Sequence, residues 1–125
     1  MADGAKKILI IEDDQGYALM LQKLLVEKGY NVLLVYDTVF GTRAARTEKP
    51  DLVILDIGLP GGGGLNVLEN LRMSTFTSNL PVIILSATSE EETKQKAFDK
   101  GAIEYIEKPF SIPDLLKVVS DIVGA

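Results

Sequence analysis

Short apolar runs at 8–11, 52–55 and 82–85 stop at polar residues: Glu12, Asp13 and Asp14 after the first, Asp56 after the second, Ser86 after the third. A further run at 103–106 leads to Glu107 and Lys108. Amphipathic stretches separate these runs, and that alternation predicts βα units around a parallel sheet covered on both faces. Five strands are expected, at 7–12, 31–35, 51–55, 81–85 and 103–107. The last, interrupted by Glu104 and Tyr105, reads as an edge strand with Tyr105 half-exposed.

The intervening helices carry terminal signals. Asp14 is placed to cap a helix in which Tyr17, Leu21, Leu24 and Leu25 share a face, and Gly29 stands where the helix should end. Thr38 to Thr47 forms a second helix, its apolar side marked by Val39, Phe40, Ala44 and Ala45. Ser89 with Glu92 has capping-box spacing, with Ala97 and Phe98 on the apolar side before Gly101. Ser111 with Asp114 repeats that spacing ahead of Leu115, Leu116, Val119 and Ile122. Two segments, 59–64 with its four glycines and 74–79, read as loops.

These elements fit an α/β fold, taken as a single-domain, flavodoxin-like three-layer sandwich with five helices, in which the five-stranded parallel sheet would run in the order 2-1-3-4-5. The 125 residues fit one domain, with a core at about 6–123. In that order the first and third strands are neighbours, and their carboxylates meet at the edge where such folds place their chemistry.

Composition narrows what that edge can do. The net charge of −5 argues against direct nucleic-acid binding by this domain, because such affinity comes mainly from Lys and Arg. With neither cysteine nor histidine, the chain has no thiolate metal site, no disulfide and no phosphohistidine of its own. No apolar stretch approaches the roughly 20 residues that span a bilayer, and the first residues do not resemble a signal peptide. A soluble, cytoplasmic protein without membrane contact is expected.

Glu12, Asp13 and Asp56 should then lie within several ångströms of one another. Two like charges about 5 Å apart repel by roughly 3 kcal/mol at an effective dielectric near 20, so the group needs a cation or a proton. Oxygen-only donors suit Mg²⁺. A carboxylate beside Mg²⁺ can attack phosphorus to form an aspartyl phosphate, and phosphoryl transfer asks mainly for positioning and charge stabilisation. Mg²⁺, Lys108 and the Ser86 hydroxyl would each take one phosphoryl oxygen.

The chain resembles a receiver domain of the bacterial response-regulator family, the phosphoacceptor module of two-component signalling, and in particular its chemotaxis-regulator-like members. The pattern is met in order by Glu12 and Asp13, Asp56 with Pro60, Ser86 with Ala87, and Lys108 with Pro109. The resemblance implies that Asp56 accepts the phosphoryl group from a sensor histidine kinase or a histidine phosphotransfer protein. It further implies that Asp13 ligates Mg²⁺ directly, Glu12 acts through a metal-bound water, and the backbone carbonyl of Gly58 completes the protein ligands. Ser86 and Tyr105 match the family's switch pair, the hydroxyl moving to the phosphate and the ring then turning inward. The surface from about 89 to 123 would face a downstream protein, an output domain or a second receiver in a phosphorylation-dependent homodimer. A cis Lys108–Pro109 bond is also implied. Gly58, which has no side chain to orient an attacking water, and Thr88 are expected to bear on phosphoryl lifetime.

Other readings fit less well. A haloacid-dehalogenase-type phosphatase needs Asp-x-Asp after its first strand, and Glu12-Asp13-Asp14 lacks the first aspartate. A flavin carrier needs a hydroxyl-rich and glycine-rich loop there rather than carboxylates. The glycine run 61–64 is not followed by the Lys-Ser or Lys-Thr of a P-loop and is expected to serve as a loop beside Asp56. A receiver that binds partners without phosphorylation would not require the complete acidic and Lys108 set. Asp14 is read as a helix cap, not a ligand.

Overall fold

The strands are β1 (Lys7–Ile11), β2 (Asn31–Val35), β3 (Leu52–Asp56), β4 (Val82–Ser86) and β5 (Glu104–Glu107). They form one sheet in the order β2-β1-β3-β4-β5 of the flavodoxin-like fold, with all neighbours parallel, as the alternation predicts. The helices are α1 (Gln15–Glu27), α2 (Thr38–Thr47), α3 (Gly64–Met73), α4 (Glu91–Asp99) and α5 (Ile112–Val123). The computed structural model of the chain describes residues 4–57 and 64–124. No helix among them is long and apolar enough to cross a membrane.

Strand register sorts the core into two layers. Leu9, Val53 and Val82 are in register and pack with Ala45 of α2, Val67, Leu68 and Leu71 of α3, and Ala97 of α4. One residue on, Ile10, Ile54 and Ile83 face the other way, onto Leu21 and Leu25 of α1 and Leu115 and Val119 of α5. Since side chains alternate along a strand, continuous apolar runs are what a sheet covered on both faces requires. β2 and β5 form the two edges.

Several helix ends follow their signals. The Asp14 side chain accepts from Tyr17 N–H at 3.0 Å and the Ser111 hydroxyl from Asp114 N–H at 3.1 Å, each relieving an unpaired first-turn donor. Gly29 has the positive φ (+95°) of a residue just past a helix. Asp37, which the sequence reading passed over, caps α2 by accepting from Phe40 N–H at 2.9 Å.

Other expectations are corrected. α4 begins at Glu91 with Glu90 at its cap position and no side-chain cap, so Ser89 and Glu92 form no capping box. Thr88 intervenes instead, its hydroxyl accepting from Glu90 N–H at 3.2 Å. In α2 the buried residues are Gly41 and Ala45, while Val39 and Phe40 are 74% and 57% exposed. The helix therefore lays its smallest side chains on the sheet and carries its largest apolar ones outward. Phe98 is likewise exposed, leaving Thr93 and Ala97 as the buried face of α4. The 74–79 loop is held in place: Arg72 donates to the carbonyls of Thr77, Ser78 and Gly101, and Thr77 is buried.

Candidate functional site

Backbone hydrogen bonds draw the strand ends together. Glu12 N–H donates to Val35 O at 3.0 Å, Ile57 N–H to Leu85 O at 3.1 Å and Lys108 N–H to Ser86 O at 2.7 Å. Asp56 and Ser86 are the last residues of β3 and β4 rather than the first beyond them. The Lys108–Pro109 peptide is cis.

The Lys108 ammonium lies between two carboxylates. It is ion-paired with Asp56 Oδ2 and lies 3.3 Å from Glu12 Oε1. Glu12 is only 2% exposed, and its second oxygen accepts from Asp14 N–H at 3.2 Å. Burial, reinforced by hydrogen bonding and repulsion from Asp56, pushes the Glu12 carboxyl up to about 8, although Asp14 N–H and Lys108 pull the other way. For Lys108, burial disfavours the charge, but Asp56 and Glu12 outweigh it and the ammonium is held above its ordinary range.

The expected three-carboxylate group is only partly assembled. Glu12 and Asp56 come together, but Asp13 stays exposed, and among the described residues no three acidic side chains form a group that could hold a metal. A third carboxylate beside that pair would add like charge and give up its hydration, so Asp13 stays in water. The donors of Glu12, Asp13 and Asp56 still suit a hard divalent cation, since all are carboxylate oxygens. Gly58, Pro60 and the glycines 61–63 lie outside the described residues. Gly64, expected to belong to the loop, is instead the buried first residue of α3.

Ser86 is fully buried, and its hydroxyl oxygen accepts from Thr88 N–H at 3.1 Å. Tyr105 is 8% exposed rather than half-exposed. Although β5 is an edge strand, this ring packs into the α2–α3–α4 core layer, and its hydroxyl donates to Thr88 O at 2.9 Å. Outside it, Lys94 pairs with Glu107 at 3.2 Å and lies 5.8 Å from the Tyr105 ring centroid.

One neighbour of the site was missed. The Tyr17 ring centroid is 4.2 Å from Lys108 Nζ, and Phe110 meets the same ring edge-on at 6.4 Å and 82°. Burial pushes the Tyr17 hydroxyl up to about 12. The available signal was the Asp14 cap, which places Tyr17 in the first turn of α1 beside the strand ends.

The chain matches the model of the response regulator receiver domain over residues 8–120. It is 44% identical over 108 residues to the KDP operon transcriptional regulatory protein KdpE of Escherichia coli K12, covering 86% of this chain and 47% of that protein. It is 38% identical over 106 residues to the alkaline phosphatase synthesis transcriptional regulatory protein PhoP of Bacillus subtilis 168, covering 85% and 43%. The chain thus spans about half the length of the curated relatives it matches. Among solved structures, the Francisella response regulator 1452 receiver domain superposes with a TM-score of 0.86 at 30% identity, covering 94% of this chain and 96% of that one. An acidic pair after β1, an aspartate ending β3, a hydroxyl ending β4 and a lysine after β5, on this sheet order, agree with those matches: the chain belongs to the response regulator receiver domain family.

Proposed function

We propose that this chain is a phosphoryl-accepting switch in which Asp56 receives the phosphoryl group of a phosphohistidine on a sensor histidine kinase or a histidine phosphotransfer protein. The observation that carries this reading is the Asp56 carboxylate at the end of β3, paired with Lys108 beside the buried Glu12. An Asp56 oxygen forms a bond to phosphorus as the phosphorus–nitrogen bond of the donor breaks, its electron pair remaining on the leaving imidazole. As Asp56 becomes an acyl phosphate, Lys108 shifts to a phosphoryl oxygen, and the Ser86 hydroxyl donates to another. Asp13 and Asp56 directly, Glu12 through water and Gly58 through its carbonyl would hold Mg²⁺, which supplies positive charge against the phosphoryl oxygens.

Ser86 and Tyr105 form the switch pair, and both bond to the backbone of Thr88. Movement of the Ser86 hydroxyl therefore releases Thr88 N–H and alters the segment that holds Tyr105. The surface of α4, β5 and α5 passes the change to a downstream protein, an output domain or a second receiver in a homodimer. On this reading the chain acts in the cytoplasm as a stoichiometric acceptor rather than a turnover enzyme, and touches neither nucleic acid nor membrane itself.

Intact-protein mass spectrometry after incubation with Mg²⁺ and a phosphohistidine donor or a small acyl phosphate tests it. One phosphoryl group per chain is expected for the wild type and none for Asp56→Asn. A phosphorylated mutant, or no adduct on either protein, overturns the assignment.

A further inference from the structure

Lys108 is held on two sides. Asp56 and Glu12 attract its ammonium from one, and the Tyr17 ring, 4.2 Å from Nζ to centroid, faces it from another. The ring is itself fixed. Its backbone N–H is bound by the Asp14 cap at 3.0 Å, and Phe110, two residues after Lys108, braces it edge-on at 6.4 Å. Helix cap, ring and lysine loop thus form one connected unit, with Tyr17 and Phe110 both packed on the α1–α5 core layer.

We propose that Tyr17 is a positioning residue for Lys108. The inference rests on the phosphoacceptor reading above and adds a residue to its machinery. An ammonium held only by carboxylates would follow whichever carboxylate keeps its charge. When Asp56 is esterified by phosphorus it ceases to be that partner, and Lys108 must settle on a phosphoryl oxygen rather than swing to Glu12 or to water. The quadrupole of the aromatic face attracts the cation whatever the state of Asp56, so it limits where the ammonium can go during transfer. The face matters to this role and the hydroxyl does not.

Two measurements test the proposal. In NMR spectra of the unphosphorylated protein, the Lys108 ε-methylene protons should be shifted upfield by the ring current in wild type and Tyr17→Phe, and should return to ordinary lysine positions in Tyr17→Leu. This readout is independent of phosphorylation. Ordinary lysine shifts in the wild type would overturn the geometry whether or not Asp56 is an acceptor.

The second measurement is the rate of modification by acetyl phosphate with Mg²⁺, followed by mass spectrometry. Tyr17→Phe should keep the wild-type rate, and Tyr17→Leu should lose about threefold to tenfold, the scale of a partly shielded cation–π contact. In a Lys108→Ala background the Tyr17→Leu change should cost nothing further. Equal rates for Tyr17→Leu and wild type, equal losses in Leu and Phe variants, or an undiminished loss without Lys108 would each overturn the positioning role. A wild type that takes no phosphoryl group while showing the ring-current shift would sink the phosphoacceptor reading and leave the contact standing. If Tyr17→Leu does not fold, as thermal melting would show, Tyr17→Met, which fills a similar volume without a ring, takes its place in both measurements with the same expected and overturning results.

Discussion

Tyr105 donates its hydroxyl to the Thr88 carbonyl oxygen at 2.9 Å, tying the edge strand to the segment that leaves β4. The Thr88 N–H in turn donates to Ser86 Oγ at 3.1 Å, so one peptide segment joins hydroxyl and ring. Tyr105→Phe keeps the packing and deletes the bond. A protein hydrogen bond contributes roughly 0.5–1.5 kcal/mol net, so urea denaturation should show a loss in that range. An unchanged midpoint would mean that solvent replaces the bond at no cost.

Gly64 should tolerate no side chain. A Cβ there would stand 2.6 Å from the Ile57 Cα, a backbone atom that cannot rotate away. Gly64→Ala should therefore cost about 1–3 kcal/mol in denaturant, as overpacking does. Because Ile57 directly follows Asp56, the substitution should also slow acetyl phosphate modification of Asp56. A stable variant with the wild-type rate would show that α3 can shift freely.

Much of this was legible because parallel strands buried on both faces leave unbroken apolar runs, and because Asp14 and Ser111 occupy cap positions with few alternatives. The register of Leu9 and Ile10 onto opposite layers follows from the same runs. What stayed hidden depends on tertiary context. Val39 and Phe40 look like a helix face in one dimension, but the sheet accepts Gly41 and Ala45 there. Tyr105 looks exposed on an edge strand until its ring is seen packed against the α2–α3–α4 layer. Tyr17 reads as core because it lies on an apolar stripe; the Asp14 cap puts it near the strand ends, and the path of Lys108 over its ring makes it part of the site. The acidic run after β1 does not announce that Glu12 is buried while Asp13 stays in water.

Asp13 is exposed, so its proposed place in the Mg²⁺ site carries a prediction of its own. If it helps to hold Mg²⁺, saturating metal should stabilise the folded state by mass action, by about 2.7 kcal/mol at a hundredfold excess over Kd. For a domain of this size that corresponds to a Tm rise on the order of 10 °C. Asp13→Ala should abolish most of the rise without much effect on the metal-free Tm. An Mg²⁺-dependent shift that persists in the variant would remove Asp13 from the ligand set.

Glu12 makes the metal-free protein sensitive to pH in a definite direction. Its carboxyl titrates near 8 in the folded state against an ordinary value of 4.5, because burial and Asp56 disfavour the ionised form. Between those values the folded chain binds more protons than the unfolded one, so stability falls as pH rises. The contribution is fully present below about 4.5 and is lost as pH passes through about 8. The chain has no histidine to superimpose a titration of its own in that window. Lys108, held above its ordinary range, stays charged throughout. In EDTA, the denaturation midpoint should therefore decline from pH 5 to pH 8, and Glu12→Gln, which remains neutral, should flatten the decline. A wild-type profile that rises over this interval, or a Gln variant with the same slope, would show that Glu12 does not carry the proton.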